Sequence, residues 1–246
     1  MKNIAIILAG GSGTRMGLDR PKQFLVMAGR TVLEHSVEAF LATEAIEAVV
    51  IVSNPAFVAD AEAIVARHRA EGRWGRVVAV IAGGSERSDS SVNALRYVAE
   101  HTVPDALATT NIILHDAVRP LVDSRIIGDV VAALAEREAV NVTLPVVDTI
   151  VRVEDGRAVS TVDRSVLQRV QTPQGFRVPV LAEAYRRALA DPDFRATDDC
   201  GVVMRYVPEI PIGLVAGSER NLKLTYRDDI PLFEFLLRQG DFPSKG

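Results

Sequence analysis

Leu8-Ala9-Gly10-Gly11-Ser12-Gly13-Thr14-Arg15-Met16-Gly17-Leu18-Asp19-Arg20-Pro21-Lys22-Gln23 decides how the rest of this 246-residue chain is read. An apolar run, Ile4-Ala5-Ile6-Ile7-Leu8, leads into Gly10, Gly11, Gly13 and Gly17, and the same stretch carries the cations Arg15 and Lys22. Glycine lets a backbone turn tightly and approach a ligand without a Cβ in the way. Successive N–H groups in such a turn form a concave anion site. A strand feeding a glycine loop with fixed positive charge points to a triphosphate cradle.

The two commonest cradles do not fit. A P-loop needs a lysine directly after its last glycine, and none stands at that spacing here. The dinucleotide fingerprint needs a third glycine where Met16 stands, and Pro21 stops the loop from opening straight into a helix. A nicotinamide-dependent oxidoreductase would also place an acidic residue at the end of the second strand, where Ser53-Asn54 occur.

Composition narrows the class. The formal net charge is -4 and no basic run occurs, which argues against nucleic acid as a partner. A single cysteine, Cys200, excludes an internal disulfide framework and a cysteine zinc site. The apolar run before Gly10 is too short to span a membrane and has no signal-peptide cleavage pattern, so a soluble, cytoplasmic protein is expected.

Short aliphatic runs at 3–9, 48–52, 76–81 and 111–114 read as strands. Helical patterns lie between or after them at 31–41, 55–69, 88–100 and 123–137, with Thr31 as an N-cap. Near-continuous aliphatic strands separated by helices imply a parallel sheet covered on both faces. Ligands bind beyond the carboxyl ends of such strands. The loops 10–22, 83–91 and 115–120 are therefore expected to meet. Residues 148–162 alternate polar and apolar around Glu154-Asp155-Gly156 and read as a hairpin arm. Residues 171–175 read as irregular. Helices are expected at 180–189 and 197–205, strands at 210–215 and 221–225, and a closing helix at 229–238. The expected architecture is α/β: a single domain over 1–246 with a Rossmann-like, doubly wound, mostly parallel sheet, from which an arm at 148–164 projects.

Further motifs follow the glycine loop in order. They are Gly83-Gly84-Ser85-Glu86-Arg87-Ser88-Asp89-Ser90, His115-Asp116-Ala117-Val118-Arg119-Pro120, Thr161-Val162-Asp163-Arg164, Gln171-Thr172-Pro173-Gln174-Gly175-Phe176, Thr197-Asp198-Asp199-Cys200 and Asn221-Leu222-Lys223-Leu224-Thr225. With these the chain resembles the cytidylyltransferases that act on small alditol phosphates, the family of 2-C-methyl-D-erythritol 4-phosphate cytidylyltransferase and ribitol-5-phosphate cytidylyltransferase. The resemblance runs from Ile4 to about Phe235.

The resemblance implies transfer of CMP from CTP to an alditol phosphate. Arg15 and Lys22 match the pair that stabilises the transition state. Leu8, Ala9, Gly10, Gly11, Ser12, Gly13, Gly84, Ser85, Arg87 and Ser90 match the nucleotide site. Asp116 and Arg119 match the acceptor loop, Asp116 near a metal, and Thr149, Thr172 and Thr197 match acceptor-contacting positions. Arg164 and Lys223 match the cations that hold the acceptor phosphate. Mg²⁺ and a homodimer formed through the arm are implied as well. Gly10, Val118, Cys200 and Tyr226 favour D-ribitol 5-phosphate as acceptor, with 2-C-methyl-D-erythritol 4-phosphate as the alternative. His115 is expected to be structural, because an attacking phosphate anion needs no base.

Overall fold

The computed structural model describes residues 2–11 and 20–239. Arg15, Ser12 and Gly13 lie outside the described residues. In chain order the elements are β1 (Lys2–Ala9), β2 (Val26–Met27), β3 (Arg30–Thr31), α1 (Val32–Leu41), β4 (Ala48–Ser53), α2 (Val58–Ala70), β5 (Val77–Ala82) and α3 (Arg87–Glu100). They continue with α4 (Pro104–Leu107), β6 (Thr110–Asp116), α5 (Ser124–Glu136), β7 (Ala139–Pro145), β8 (Ile150–Glu154), β9 (Arg157–Val162) and β10 (Gln168–Arg177). Then come α6 (Val178–Ala188), α7 (Asp199–Tyr206), β11 (Gly213–Ala216) and α8 (Ile230–Gln239).

A seven-stranded sheet runs β11-β7-β10-β6-β1-β4-β5. β1 pairs in parallel with β4 and β6, β4 with β5, and β11 with β7. β10 is antiparallel to both its neighbours, β6 and β7. The central strand shows why the apolar runs are continuous rather than alternating. Ala5, Ile7 and Ala9 face a core shared with Leu33 and Phe40 of α1 and Ile127 and Val130 of α5. Ile4, Ile6 and Leu8 face a second core with Ala94 and Val98 of α3, Leu181 of α6 and Val203 of α7. Both faces are buried, so every residue from Ile4 to Ala9 is selected for apolarity.

The helix starts follow local chemistry. Thr31 Oγ1 accepts from the Glu34 N–H at 3.2 Å while the Glu34 carboxylate accepts from the Thr31 N–H at 2.8 Å, a reciprocal cap on α1. Asp123 caps α5 by accepting from the Ile126 N–H at 2.8 Å. Pro55 opens a short 3-10 turn rather than the α-helix itself, which begins at Val58.

Several segments differ from the sequence reading. The strand β7, the short pair β2–β3 and the single turn of α4 were not anticipated. The supposedly irregular stretch at 171–175 lies inside β10: its pairing with β7 shifts register between Val170 and Gln174, so Gln171-Thr172-Pro173 leave the ladder while Gln174 to Arg177 rejoin the sheet. Asn221–Thr225 is not a strand. Side chains tie that segment down instead: Gln171 Nε2 donates to the carbonyls of Ser218 and Asn221 at 2.9 and 3.2 Å, and Asn221 Nδ2 to the Thr172 carbonyl at 2.8 Å. The arm is present as the antiparallel pair β8–β9, turning at Asp155-Gly156, both with positive φ. Among the described residues no helix is long and apolar enough to cross a membrane.

Gly175 explains the glycine of its motif. A Cβ there would stand 2.7 Å from Leu134 Cδ1 and 3.0 Å from Val130 Cγ1, because α5 lies directly on β10 at this point. Gly175→Ala is expected to lower stability by about 1–3 kcal/mol through overpacking, read as a lower urea midpoint at unchanged m-value. An unaltered midpoint would refute this packing account.

Candidate active site

Parallel register brings the strand ends to one line. Leu8 lies opposite Val52 on one side and Asp116 on the other, and Ser53 lies opposite Ala82. The loops that leave these positions enclose a cavity of about 700 Å³. Its walls come from Ala9 to Gly11, Lys22, Gly83 to Arg87, Ser90, Asp116 and Lys223. The three loops expected to meet do so.

One end of the cavity is lined by glycines and closely built. A Cβ on Gly83 would approach Ser90 Oγ to 2.6 Å, and one on Gly84 would meet the Asp89 Cβ at 2.1 Å. Glycine is needed there because the loop packs directly on the first turn of α3. Ser90 Oγ accepts from the Gly84 N–H and donates to the Glu86 carbonyl, both at 3.2 Å. Asn54 Nδ2 donates to the Gly10 carbonyl at 3.2 Å, and Gln23 Nε2 to the carbonyls of Ala9 and Gly11 at 2.7 and 3.0 Å. Side-chain amides thus hold the start of the glycine loop in place. The N-terminus of α3 opens onto the same space and favours negative charge.

The other end is charged. Lys22, buried, donates to the Leu224 carbonyl at 2.8 Å. The next residue back, Lys223, ion-pairs with Asp116 Oδ2 at 2.8 Å. Arg87 reaches Asp116 Oδ1 with Nε at 3.2 Å and Asp199 Oδ2 with Nη1 at 2.6 Å. Burial pushes the Asp116 carboxyl up, but Arg87 and Lys223 outweigh it and hold it well below the usual carboxylate range. Burial likewise opposes the charge on Arg87, yet Asp199 and Asp116 raise its pKa above the ordinary arginine value.

Strand alternation decides what each side chain meets. Asp116 points to the face carrying α3 and α7, where Arg87 and Asp199 originate. His115 points to the other face and packs on Phe40 with ring centroids 5.1 Å apart. The Asp116 N–H donates to Thr172 Oγ1 at 3.1 Å. The Thr172 hydroxyl is then free to donate to His115 Nδ1, also at 3.1 Å, which leaves His115 Nε2 to donate to the Arg119 carbonyl at 3.1 Å. His115 therefore braces the loop.

The residues singled out from the sequence divide into three groups. Leu8, Ala9, Gly10, Gly11, Gly84, Ser85, Arg87, Ser90, Lys22, Asp116 and Lys223 line the cavity. Thr172 is buried just beneath it, and Arg119 donates to the Asn221 carbonyl at 2.8 Å. Thr149, Arg164 and Thr197 are exposed and lie outside its lining. Arg164 donates instead to the Val147 carbonyl at the base of the arm. Asp116 does not cap the following helix, which Asp123 does. Gln23, Asn54, Gln174 and Asp199 were missed, although three of them sit inside motifs that had already been quoted.

Among the described residues no group of three or more His, Cys, Asp or Glu is arranged to hold a metal ion. Among the described residues the cavity lining carries two carboxylates, Glu86 and Asp116, and so small a set suits a cation held mainly by substrate phosphates.

Burial depresses His115 to about 4 from an ordinary 6.5, against the opposing pull of the Asp116 carboxylate. Between those two values the unfolded chain takes up a proton that the folded chain refuses, so stability falls as pH is lowered through this window. The expected loss is up to about 3 kcal/mol across it, measured by urea unfolding at a series of pH values. His115→Gln should flatten that dependence. An equally steep variant would clear His115 as its source.

The profile of the 2-C-methyl-D-erythritol 4-phosphate cytidylyltransferase family matches residues 3–239. The chain is 48% identical to the 2-C-methyl-D-erythritol 4-phosphate cytidylyltransferase of Thermobifida fusca, over 96% of this chain and 93% of that protein. It is 39% identical to the bifunctional ribulose 5-phosphate reductase/CDP-ribitol pyrophosphorylase Bcs1 of Haemophilus influenzae, over 93% of this chain and 47% of that one. It is also similar to the crystal structure of 2-C-methyl-D-erythritol 4-phosphate cytidylyltransferase from Thermus thermophilus. There the TM-score is 0.71 and the identity 28%, with 97% of this chain and 100% of that chain covered.

Proposed function

The chain belongs to the 2-C-methyl-D-erythritol 4-phosphate cytidylyltransferase family, a family of nucleotidyltransferases, and on that premise we propose that it transfers CMP from CTP to 2-C-methyl-D-erythritol 4-phosphate. One observation carries the proposal: a single cavity joins a glycine-lined notch to a charged end where Arg87 and Lys223 pair with one carboxylate and Lys22 stands in the same lining. The notch suits a small base held by backbone groups, and the charged end suits two phosphorylated reactants.

The acceptor's phosphate oxygen attacks the α-phosphorus of CTP. A new P–O bond forms, the bond bridging the α- and β-phosphates breaks, and pyrophosphate leaves with the electron pair. The nucleophile is already an anion, so no base is required. Catalysis then consists of placing two anions together and stabilising the charge that develops, the work of Lys22 and Arg15. Asp116 would help to hold a Mg²⁺ ion, which would supply neutralisation of phosphate charge. Lys223 holds the acceptor phosphate, and Asp116 faces its hydroxyls.

The acceptor reading is revised from D-ribitol 5-phosphate to 2-C-methyl-D-erythritol 4-phosphate. The residues that had favoured ribitol, Gly10, Val118, Cys200 and Tyr226, weigh less than 48% identity along nearly the whole of a relative named for methylerythritol phosphate. The Haemophilus relative named for CDP-ribitol is 39% identical. Its likeness keeps ribitol phosphate as the comparison substrate.

The arm supports a homodimer. Every residue of β8 and β9 is exposed, including Ile150, Val151, Val153, Val159 and Val162. A two-stranded hairpin is marginal in water unless something covers it. A second copy that covers the arm also accounts for Thr149 and Arg164, which lie off the cavity of their own chain.

Pyrophosphate release is expected with CTP and methylerythritol phosphate, with a much lower kcat/KM for ribitol phosphate and none with UTP. Higher kcat/KM on ribitol phosphate would reverse the acceptor assignment. Lys22→Ala and Arg15→Ala should each lower kcat by about 10²–10³ while CTP binding changes far less. Near-normal turnover would remove the transition-state role. Val153→Asp should shift the mass seen by light scattering toward the monomer and lower activity with it; a monomeric wild type would end the dimer reading.

A further inference from the structure

Asp199, at the start of α7, is fully buried and outside the cavity lining, yet it grips a guanidinium that forms part of the cavity wall. Its hold on Arg87 is the shorter of the two that Arg87 makes to carboxylates, 2.6 Å against 3.2 Å to Asp116. Asp199 itself cannot move. Its other oxygen accepts from Tyr185 Oη of α6 at 2.7 Å, and its peptide N–H donates to Gln174 Oε1 of β10 at 3.1 Å. Gln174 is fully buried and donates in turn to Asn141 of β7 and to Asp198. Asp198 caps α7 by accepting from the Gly201 N–H at 2.9 Å, so the two acids of the motif have separate tasks.

Asp116 consequently has two cations of different kinds. Arg87 is anchored from behind. The Lys223 side chain is 41% exposed and has only its stem to hold it in place. We propose that Asp199 is a positioning residue. By anchoring Arg87 it keeps the Asp116 carboxylate aimed into the cavity, with Oδ2 open, when Lys223 leaves it for the acceptor phosphate. This rests on the reading of the site as an alditol phosphate cytidylyltransferase.

The geometry gives the reason. An arginine facing one carboxylate forms a bidentate pair that occupies both oxygens. Arg87 does not do so here: Nη1 is on Asp199, Nε alone reaches Asp116, at Oδ1, and Nη2 bonds to neither carboxylate. Asp116 Oδ2 is thereby left to Lys223 in the resting site and to the acceptor's hydroxyls once Lys223 has moved. If Asp199 loses its charge, Arg87 turns fully onto Asp116 and competes with the acceptor.

Asp199→Asn tests this. Its carbonyl can still accept from Arg87 and its amide can still donate to Tyr185 Oη, so shape is retained and charge alone is lost. The expected result is an acceptor KM raised at least tenfold, with CTP affinity by calorimetry within twofold of wild type and the melting temperature nearly unchanged. An unaltered acceptor KM overturns the proposal, and so does a parallel loss of CTP affinity and melting temperature, the mark of a merely structural role. Tyr185→Phe supplies a second test if the asparagine variant does not fold. It removes the hydroxyl that fixes Asp199 Oδ1 and lies outside the cavity lining, so a selective rise in acceptor KM is again expected and an unchanged KM refutes it. Wild-type protein that turns over neither alditol phosphate would overturn the parent reading as well. Active wild type with unresponsive variants overturns the positioning role alone.

Discussion

The parallel pairing of β1 between β4 and β6 is the constraint on which the rest of this molecule depends. It sets Leu8 level with Val52 and Asp116, so three chain segments leave the sheet at the same edge and must turn there. The loop after β5 is tight because α3 follows at Arg87, and glycine is needed where its backbone meets the first turn of that helix. A cavity bordered by glycine backbone is the outcome. Nothing in this edge is specialised until side chains are added, and the sheet decides which side chains those can be.

The alternation of the strand makes that choice. Asp116 and His115 are neighbours in sequence and opposites in environment. One carboxylate meets two cations and stays ionised far into acid, while the imidazole one residue back is buried among apolar groups and stays neutral to about pH 4. The same period of two separates chemistry from scaffolding at a single strand end. The bulge in β10 completes the arrangement, because Thr172 leaves the ladder just where its hydroxyl can accept from the Asp116 N–H.

Charge at the site is balanced in depth. Facing the cavity, Asp116 is shared between Arg87 and Lys223; behind it, Arg87 is shared with Asp199. A buried carboxylate without its cation is strongly destabilising, so the rear pair is rigid by necessity. The front pair, with a half-exposed lysine, can exchange partners. A site that must admit two anionic reactants in turn has use for one fixed cation and one that yields.

The order of short aliphatic runs and helical patterns settles the fold class, since burial on both faces leaves a continuous apolar signature that needs no knowledge of distant contacts. It also settles which loops meet, because parallel strands put their carboxyl ends together. Local chemistry was equally readable: the Thr31 cap, the Asp155-Gly156 turn and the glycine pair before α3. Other features rest on contacts between distant parts of the chain. Arg87 and Asp199 are 112 residues apart and Asp116 and Lys223 are 107 apart, so no local pattern announces either pair. Residues 221–225 look like a strand by composition, yet Gln171 and Asn221 hold them as a loop by side-chain hydrogen bonds. Thr149 and Arg164 carry the right chemistry, but their place on an exposed arm is a matter of topology. Sequence determines which groups are available and on which strand face they stand; only the tertiary structure decides which charges share a buried carboxylate.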